Sequence, residues 1–106
     1  MPEQIRLAFS TFPDRETAVR IANELVEARF AACANILPAV QSIYRWQEKL
    51  ETAEETLVLF KLAATRYADF ESKLKSLHPY DVPEIIAVDV ANGLPAYLQW
   101  ALDNSR

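Results

Sequence analysis

Asn35-Ile36-Leu37-Pro38-Ala39-Val40-Gln41-Ser42-Ile43-Tyr44-Arg45-Trp46-Gln47 is the stretch on which the fold turns. Ile36, Val40, Tyr44 and Trp46 share one parity; Leu37, Ala39, Ile43 and Arg45 share the other. Both parities carry apolar side chains, so this extended segment needs at least partial cover on both faces. It is long for a strand in a domain of this size. Pro38 cannot donate to a ladder, which predicts a bulge or an unpaired edge position there. Gln47-Glu48-Lys49 reads as a hairpin turn. Thr56-Leu57-Val58-Leu59-Phe60-Lys61-Leu62 is the next strand, beginning as early as Leu50. Two strands thus follow one another with no helix between them.

On the N-terminal side, Ile5 to Thr11 alternates as a strand, with Ile5, Leu7 and Phe9 against Arg6, Ala8 and Ser10. Phe12-Pro13-Asp14 turns the chain, and Asp14 is placed to cap a helix with Glu16 in its first turn. Ala18, Ile21, Ala22, Leu25, Val26 and Arg29 recur at helical spacing, which predicts a helix from Arg15 to Phe30. On the C-terminal side, Thr65 is placed to cap a second helix with Tyr67, Phe70, Leu74 and Leu77 on one face. Pro79 ends that helix at His78. Glu84 to Val90 is nearly continuous in apolar residues, the pattern of a central strand. Asn92-Gly93 turns, and Pro95 to Leu102 forms a short last helix carrying Tyr97, Leu98, Trp100 and Ala101.

The order β-α-β-β-α-β plus a helix is the split-βαβ, ferredoxin-like arrangement: an α+β domain with an antiparallel sheet and two helices on one face. Residues 1–106 read as one domain, with no repeat, linker or low-complexity segment. The sheet's other face is open in a monomer, although its middle strands are apolar on both parities. Another subunit is the simplest cover in so short a chain.

Composition narrows the function. Net charge is −4, the wrong sign for a protein that neutralises phosphates, so no nucleic-acid partner is expected. Thr56 to Leu62 also lacks the aromatic-plus-basic pattern of an RNA-recognition strand. A single cysteine allows no intrachain disulfide and fits a reducing compartment. No leader and no apolar run of membrane-spanning length is visible, which predicts a cytoplasmic protein with no membrane partner. With Gly93 as the one glycine, phosphate-cradling glycine loops are excluded. The one histidine has no nucleophile elbow or zinc-protease helix beside it, so no enzyme is expected.

His78-Pro79-Tyr80-Asp81-Val82-Pro83-Glu84 joins the second helix to the last strand and gathers an imidazole and two carboxylates in a proline-stiffened loop. His78 reads either as a metal ligand or as a helix-end histidine whose charge the macrodipole favours. Asp81 and Glu84 read as hard-cation ligands, as loop caps or as interface ion-pair partners. Cys33, among Ala31, Ala32 and Ala34, reads as a buried, inert thiol. Lys49, Glu51, Glu54 and Glu55 read as a solvated hairpin tip. Tyr44, Trp46, Tyr80 and Trp100 read as anchors of a subunit interface or as the lining of a cleft.

Three segments carry a resemblance. Ala31-Ala32-Cys33-Ala34-Asn35-Ile36-Leu37-Pro38, Ser42-Ile43-Tyr44-Arg45-Trp46, and Leu74 through Ile86 resemble, in order and spacing, the signature segments of the CutA family of divalent-cation tolerance proteins. The likeness runs from about Ile5 to Leu102. It implies a ferredoxin-like subunit, a tight homotrimer, a second strand reaching onto a neighbouring subunit, and a role in tolerance to copper and other divalent metals. The family's proposed ligands are a cysteine near the end of the first strand, a histidine pair before the Pro-Tyr, and a glutamate. Here those positions are Ser10, Leu77 with His78, and Glu84. The resemblance therefore leaves His78 and Glu84 as candidate metal ligands for Cu²⁺ or another divalent cation, with no metal required for folding. It also places Glu48 where the family has a turn glycine, which predicts altered hairpin geometry. A second reading is a PII-like trimer that binds a small molecule or partner between subunits, without a metal role.

Overall fold

Asp14 opens the first helix as its position predicts: its backbone is extended and Oδ1 accepts the Thr17 N–H at 2.7 Å. In the computed structural model, which describes residues 4–106, the order is β1 (Ile5–Phe12), α1 (Arg15–Glu27), β2 (Cys33–Trp46) and β3 (Lys49–Ala63). A 3-10 turn (Ala64–Arg66), α2 (Tyr67–Leu77), β4 (Ile86–Asp89) and α3 (Pro95–Asp103) follow. The sheet order is β2-β3-β1-β4, with every neighbouring pair antiparallel. β3 is inserted between β1 and β2, and β1 between β3 and β4, which is the split-βαβ topology.

Even-numbered residues of β1 and β3 face α1 and α2. Ala8, Phe12, Val58, Phe60 and Leu62 are fully buried there with Ala18, Ile21, Leu25, Phe70 and Leu74. Phe60 meets Phe70 edge-on at 5.0 Å between ring centroids. Odd-numbered Ile5 and Ala63 point the other way and pack with Ala32, Ala101 and Leu102, so α3 covers one end of the opposite face. The Ser105 hydroxyl secures that end. Fully buried, it accepts the Ala63 N–H at 2.9 Å and donates to the Ala101 carbonyl at 2.6 Å. The Arg29 guanidinium donates to the Asp103 and Arg106 carbonyls at 2.5 and 2.8 Å, tethering the end of α3 to the end of α1.

Several sequence expectations shift. α1 stops at Glu27 rather than Phe30, because Arg29 turns left-handed (φ 65°) and its guanidinium reaches α3. Phe12 belongs to β1 rather than the turn, since its ring fills the core. Thr65 lies inside the 3-10 turn instead of capping α2, whose N-cap position is Arg66. β4 is a short edge strand, not a central one: it pairs with β1 alone. Its apolar run reflects cover for Ala87 on one side and Ile86 and Val88 left about half exposed. Residues 91–94 form no regular turn. At Gly93 a Cβ would stand 2.8 Å from Leu98 Cδ2, so a larger residue would have to push the Leu98 side chain aside.

The β2–β3 hairpin departs most from the rest. Its register shifts between Leu37 and Val40, where Ala39 takes φ 58°, the irregularity expected at Pro38. Beyond Thr56, the last β3 residue paired to β1, the hairpin continues as a two-stranded arm from Val40↔Glu55 to Trp46↔Lys49. Its Gln47–Glu48 turn has both φ values positive, 50° and 66°, so the replaced glycine leaves a tight two-residue turn. Ile43 (66% exposed) and Leu50 (70%) lie on one face of the arm, with Tyr44 and Trp46 on the other.

Candidate functional site

The His78–Glu84 loop lies where the arm leaves the body. His78 is the C-cap of α2 (φ −72°, ψ 135°), extended as a residue before proline must be, and its N–H still donates to the Leu74 carbonyl at 2.9 Å. The ring turns inward, only 8% exposed, and stacks on Phe12 at 4.6 Å between centroids. Nε2–H donates to the Thr11 carbonyl at 2.8 Å, and Nδ1 accepts the Tyr80 N–H at 3.1 Å. That pair of bonds selects the neutral Nε2–H tautomer. Burial holds the imidazole pKa below its usual value, although the Thr11 bond and the Glu55 charge pull the other way. His78 is therefore an uncharged clamp between β1 and the loop, not a solvated cation at a helix end. A metal on Nδ1 has to displace the Tyr80 N–H.

Tyr80 extends the clamp to the arm. Its hydroxyl donates to Glu55 Oε2 at 2.6 Å, and burial together with that carboxylate raises the phenol well above its usual pKa. Glu55 corrects the reading of a solvated hairpin tip: it is only 9% exposed. No local pattern signalled this: Glu55 shares its parity with Leu57 and Leu59, on the face the helices leave open, and it is linked to Tyr80, a residue remote in sequence.

Around this link lies a cavity of about 670 Å³ lined by Thr11, Ser42, Ile43, Tyr44, Trp46, Glu55, Pro79, Tyr80, Asp81, Val82 and Glu84. No basic side chain lines it. Three of the four aromatics singled out in the sequence, Tyr44, Trp46 and Tyr80, come together here. Trp100 does not; it lies against Tyr97 on α3, 5.6 Å between centroids. Glu84 and Asp81 are exposed at the lining.

The remaining ligand positions stay apart from the cavity. Ser10 is fully buried on the helix-facing side of β1, and its Oγ has no hydrogen-bond partner. Leu77 is half-buried against the helix-side core. Cys33 is half-buried rather than enclosed, with Sγ 3.8 Å from Asn35 Oδ1. Among the described residues, no group of three or more His, Cys, Asp or Glu side chains is placed to hold a metal ion. A second hollow, about 450 Å³, lies beside Phe30 and Arg66. There the Arg66 guanidinium sits 4.4 Å over Phe30 and donates to the Ala28 and Arg29 carbonyls at the end of α1.

A four-stranded antiparallel sheet with three helices, and an acidic, aromatic cleft at the root of a hairpin arm, define a ferredoxin-like α+β protein. The family model described as CutA1 divalent ion tolerance protein matches residues 6–104, and the chain belongs to that family. It is 44% identical over 95 residues to the divalent-cation tolerance protein CutA of Thermus thermophilus, covering 90% of this chain and 92% of that protein. It is 39% identical over 100 residues to protein CutA of Mus musculus, spanning 56% of that longer chain. Among solved structures, CutA from Xylella fastidiosa superposes with a TM-score of 0.93 at 44% identity, covering 96% of this chain and 98% of that one. A protein from Archaeoglobus fulgidus described as a periplasmic divalent cation tolerance protein CutA gives 0.92 at 32% identity, covering 96% and 99%. Among the described residues, no helix is long and apolar enough to cross a membrane.

Proposed function

We propose that this chain is the subunit of a cytoplasmic homotrimer that contributes to divalent-cation tolerance and binds cations, Cu²⁺ among them, weakly at the His78–Glu84 loop. The observation that carries the reading is the cleft itself: Glu55, Asp81 and Glu84 line it and no lysine or arginine does. Carboxylate oxygens suit hard divalent ions. Glu84 is the first donor in this reading, and His78 joins only when Nδ1 releases the Tyr80 N–H. With two weak donors from one subunit, affinity depends on further donors across a subunit boundary, and folding needs no metal. Support for assembly comes from the arm, whose Ile43 and Leu50 are 66% and 70% exposed among the described residues. A two-stranded hairpin of this length is marginal by itself in water.

Two measurements test this. Light scattering on a sizing column is expected to give three times the 12.0 kDa chain mass. Calorimetric titration with Cu²⁺ is expected to show weaker binding in Glu84→Gln and in His78→Ala than in the unaltered protein. Equal binding in all three removes the site assignment. A second reading has a specific observation behind it: the cavity lies within the roughly 300–1,000 Å³ range of small-molecule sites. In that reading the trimer is a PII-like binder of a small ligand with no metal role.

A further inference from the structure

We propose that the cleft receives a small organic cation, an ammonium group seated against Glu55 among the rings of Tyr44, Trp46 and Tyr80. The proposal rests on the second reading above, that the cleft takes a molecule, and names that molecule's chemical class. It needs no metal site.

Glu55 supplies the charge argument. It is nine-tenths buried and lines the cavity, and one of its oxygens accepts the Tyr80 hydroxyl. Among the described residues no lysine or arginine forms an ion pair with it. The one imidazole nearby, that of His78, has both ring nitrogens engaged, Nε2 by the Thr11 carbonyl and Nδ1 by the Tyr80 N–H, so it has no N–H left to give Glu55. A carboxylate taken out of water without a counter-charge is costly to the fold. A bound cation relieves that cost, whereas an anion is repelled and a neutral ligand leaves Glu55 uncompensated.

The walls decide which cation. Tyr44 and Trp46 are each a little under half exposed and stand on the same face of the arm, with Tyr80 in the loop beside them. Ring faces attract ammonium groups through their quadrupole, tryptophan most strongly. A small divalent ion keeps its water shell and prefers several oxygens, so it makes no use of these rings. An alkylated or primary ammonium uses the rings and the carboxylate together. Asp81 and Glu84 at the lining add negative potential without occupying the interior.

The test uses the full-length ¹⁵N-labelled protein in its native assembly, titrated with tetramethylammonium chloride at constant ionic strength. The two tryptophan indole N–H resonances report independently. Trp46 is expected to shift saturably while Trp100 stays still, and tert-butanol, an uncharged probe of similar size, is expected to move neither. Glu55→Gln, which keeps the side chain's shape, is expected to weaken binding about tenfold. Tyr44→Leu, at a half-exposed position, is expected to weaken it severalfold by calorimetry and serves if Glu55→Gln does not fold. A still Trp46 resonance overturns the proposal, as does an equal response to tert-butanol or unchanged affinity in Glu55→Gln. A cleft already filled by a basic side chain of a second copy gives no response and overturns it too. A Trp46 resonance that shifts saturably with tert-butanol but not with tetramethylammonium overturns this proposal and leaves standing the reading that the cleft takes a small molecule; a resonance that stays still with both removes support from that reading as well.

Discussion

The helix-covered face and the hairpin arm are built from the same kinds of residue and end in opposite states. Phe12, Phe60 and Phe70 on the covered face are fully buried, whereas Ile43, Tyr44, Trp46 and Leu50 on the arm are 43–70% exposed. The difference is connectivity. Each strand under α1 and α2 has helices of its own chain to pack on, but from Val40 to Trp46 the hairpin has no third strand and no helix among the described residues. Apolar pattern therefore states a need for cover without saying who supplies it. The body meets that need internally, and the arm does not.

The contrast can be broken by two substitutions. Phe70→Ala is expected to cost about 3–5 kcal/mol of stability by leaving a cavity against Phe60, measured by urea unfolding at a fixed protein concentration. Ile43→Asp is expected to leave the body folded, with native far-UV and near-UV spectra, while abolishing assembly on a sizing column. If Ile43→Asp keeps the full assembly mass, the arm's outer face is no interface. If Phe70→Ala costs less than about 1 kcal/mol, the body is as loosely packed as the arm.

This division also marks how far the sequence could be read. Strand and helix order, the Asp14 cap, the Pro38 irregularity and the buried stripe Phe70–Leu74 followed from periodicity and local chemistry, which are short-range. β4 was misplaced at the centre because a continuous apolar run does not say how many neighbours a strand has, and Ile86 and Val88 are half exposed at the edge. α1 was drawn too long because the contact that makes Arg29 leave the helix lies at the far end of the chain, at Asp103 and Arg106. The site was half legible. The loop was found through its prolines, and Tyr44, Trp46 and Tyr80 through their type. Glu55 was missed because its burial depends on Tyr80, a residue remote in sequence. The uncharged state of His78 was missed for a similar reason: it comes from burial against Phe12, a residue remote in sequence.

Between body and arm stands the His78 clamp, and acid should separate them. In the folded state burial depresses the imidazole pKa, so the unfolded chain binds the proton more readily. The stabilising contribution is thus complete above the unfolded value of about 6.5 and is lost as pH falls through the depressed folded value. Protonation sets an Nδ1–H against the Tyr80 N–H, so the loop and its link to Glu55 are expected to loosen before the body unfolds. Urea midpoints followed from neutral pH downward should fall earlier in the unaltered protein than in His78→Gln. Coincident curves for the two proteins would mean that the clamp carries no acid sensitivity.

The smallest effect belongs to the tip of the arm. Glu48 holds φ 66° with a full side chain, in the left-handed region where glycine is at ease and other residues are strained. Glu48→Gly relieves that strain, and the expected gain is about 1 kcal/mol. Part of the gain is offset, because glycine also gives the unfolded chain more freedom to lose. Where the gain appears is the informative part. If the arm is ordered by a partner, hairpin strain is linked to assembly, and Glu48→Gly should lower the protein concentration at which the assembly dissociates. If the arm is an independent appendage, the substitution should change neither dissociation nor the unfolding of the body. Sedimentation across a dilution series distinguishes the two. A gain confined to body unfolding, with dissociation unmoved, would show that the arm communicates with the sheet through β3 rather than through a neighbour.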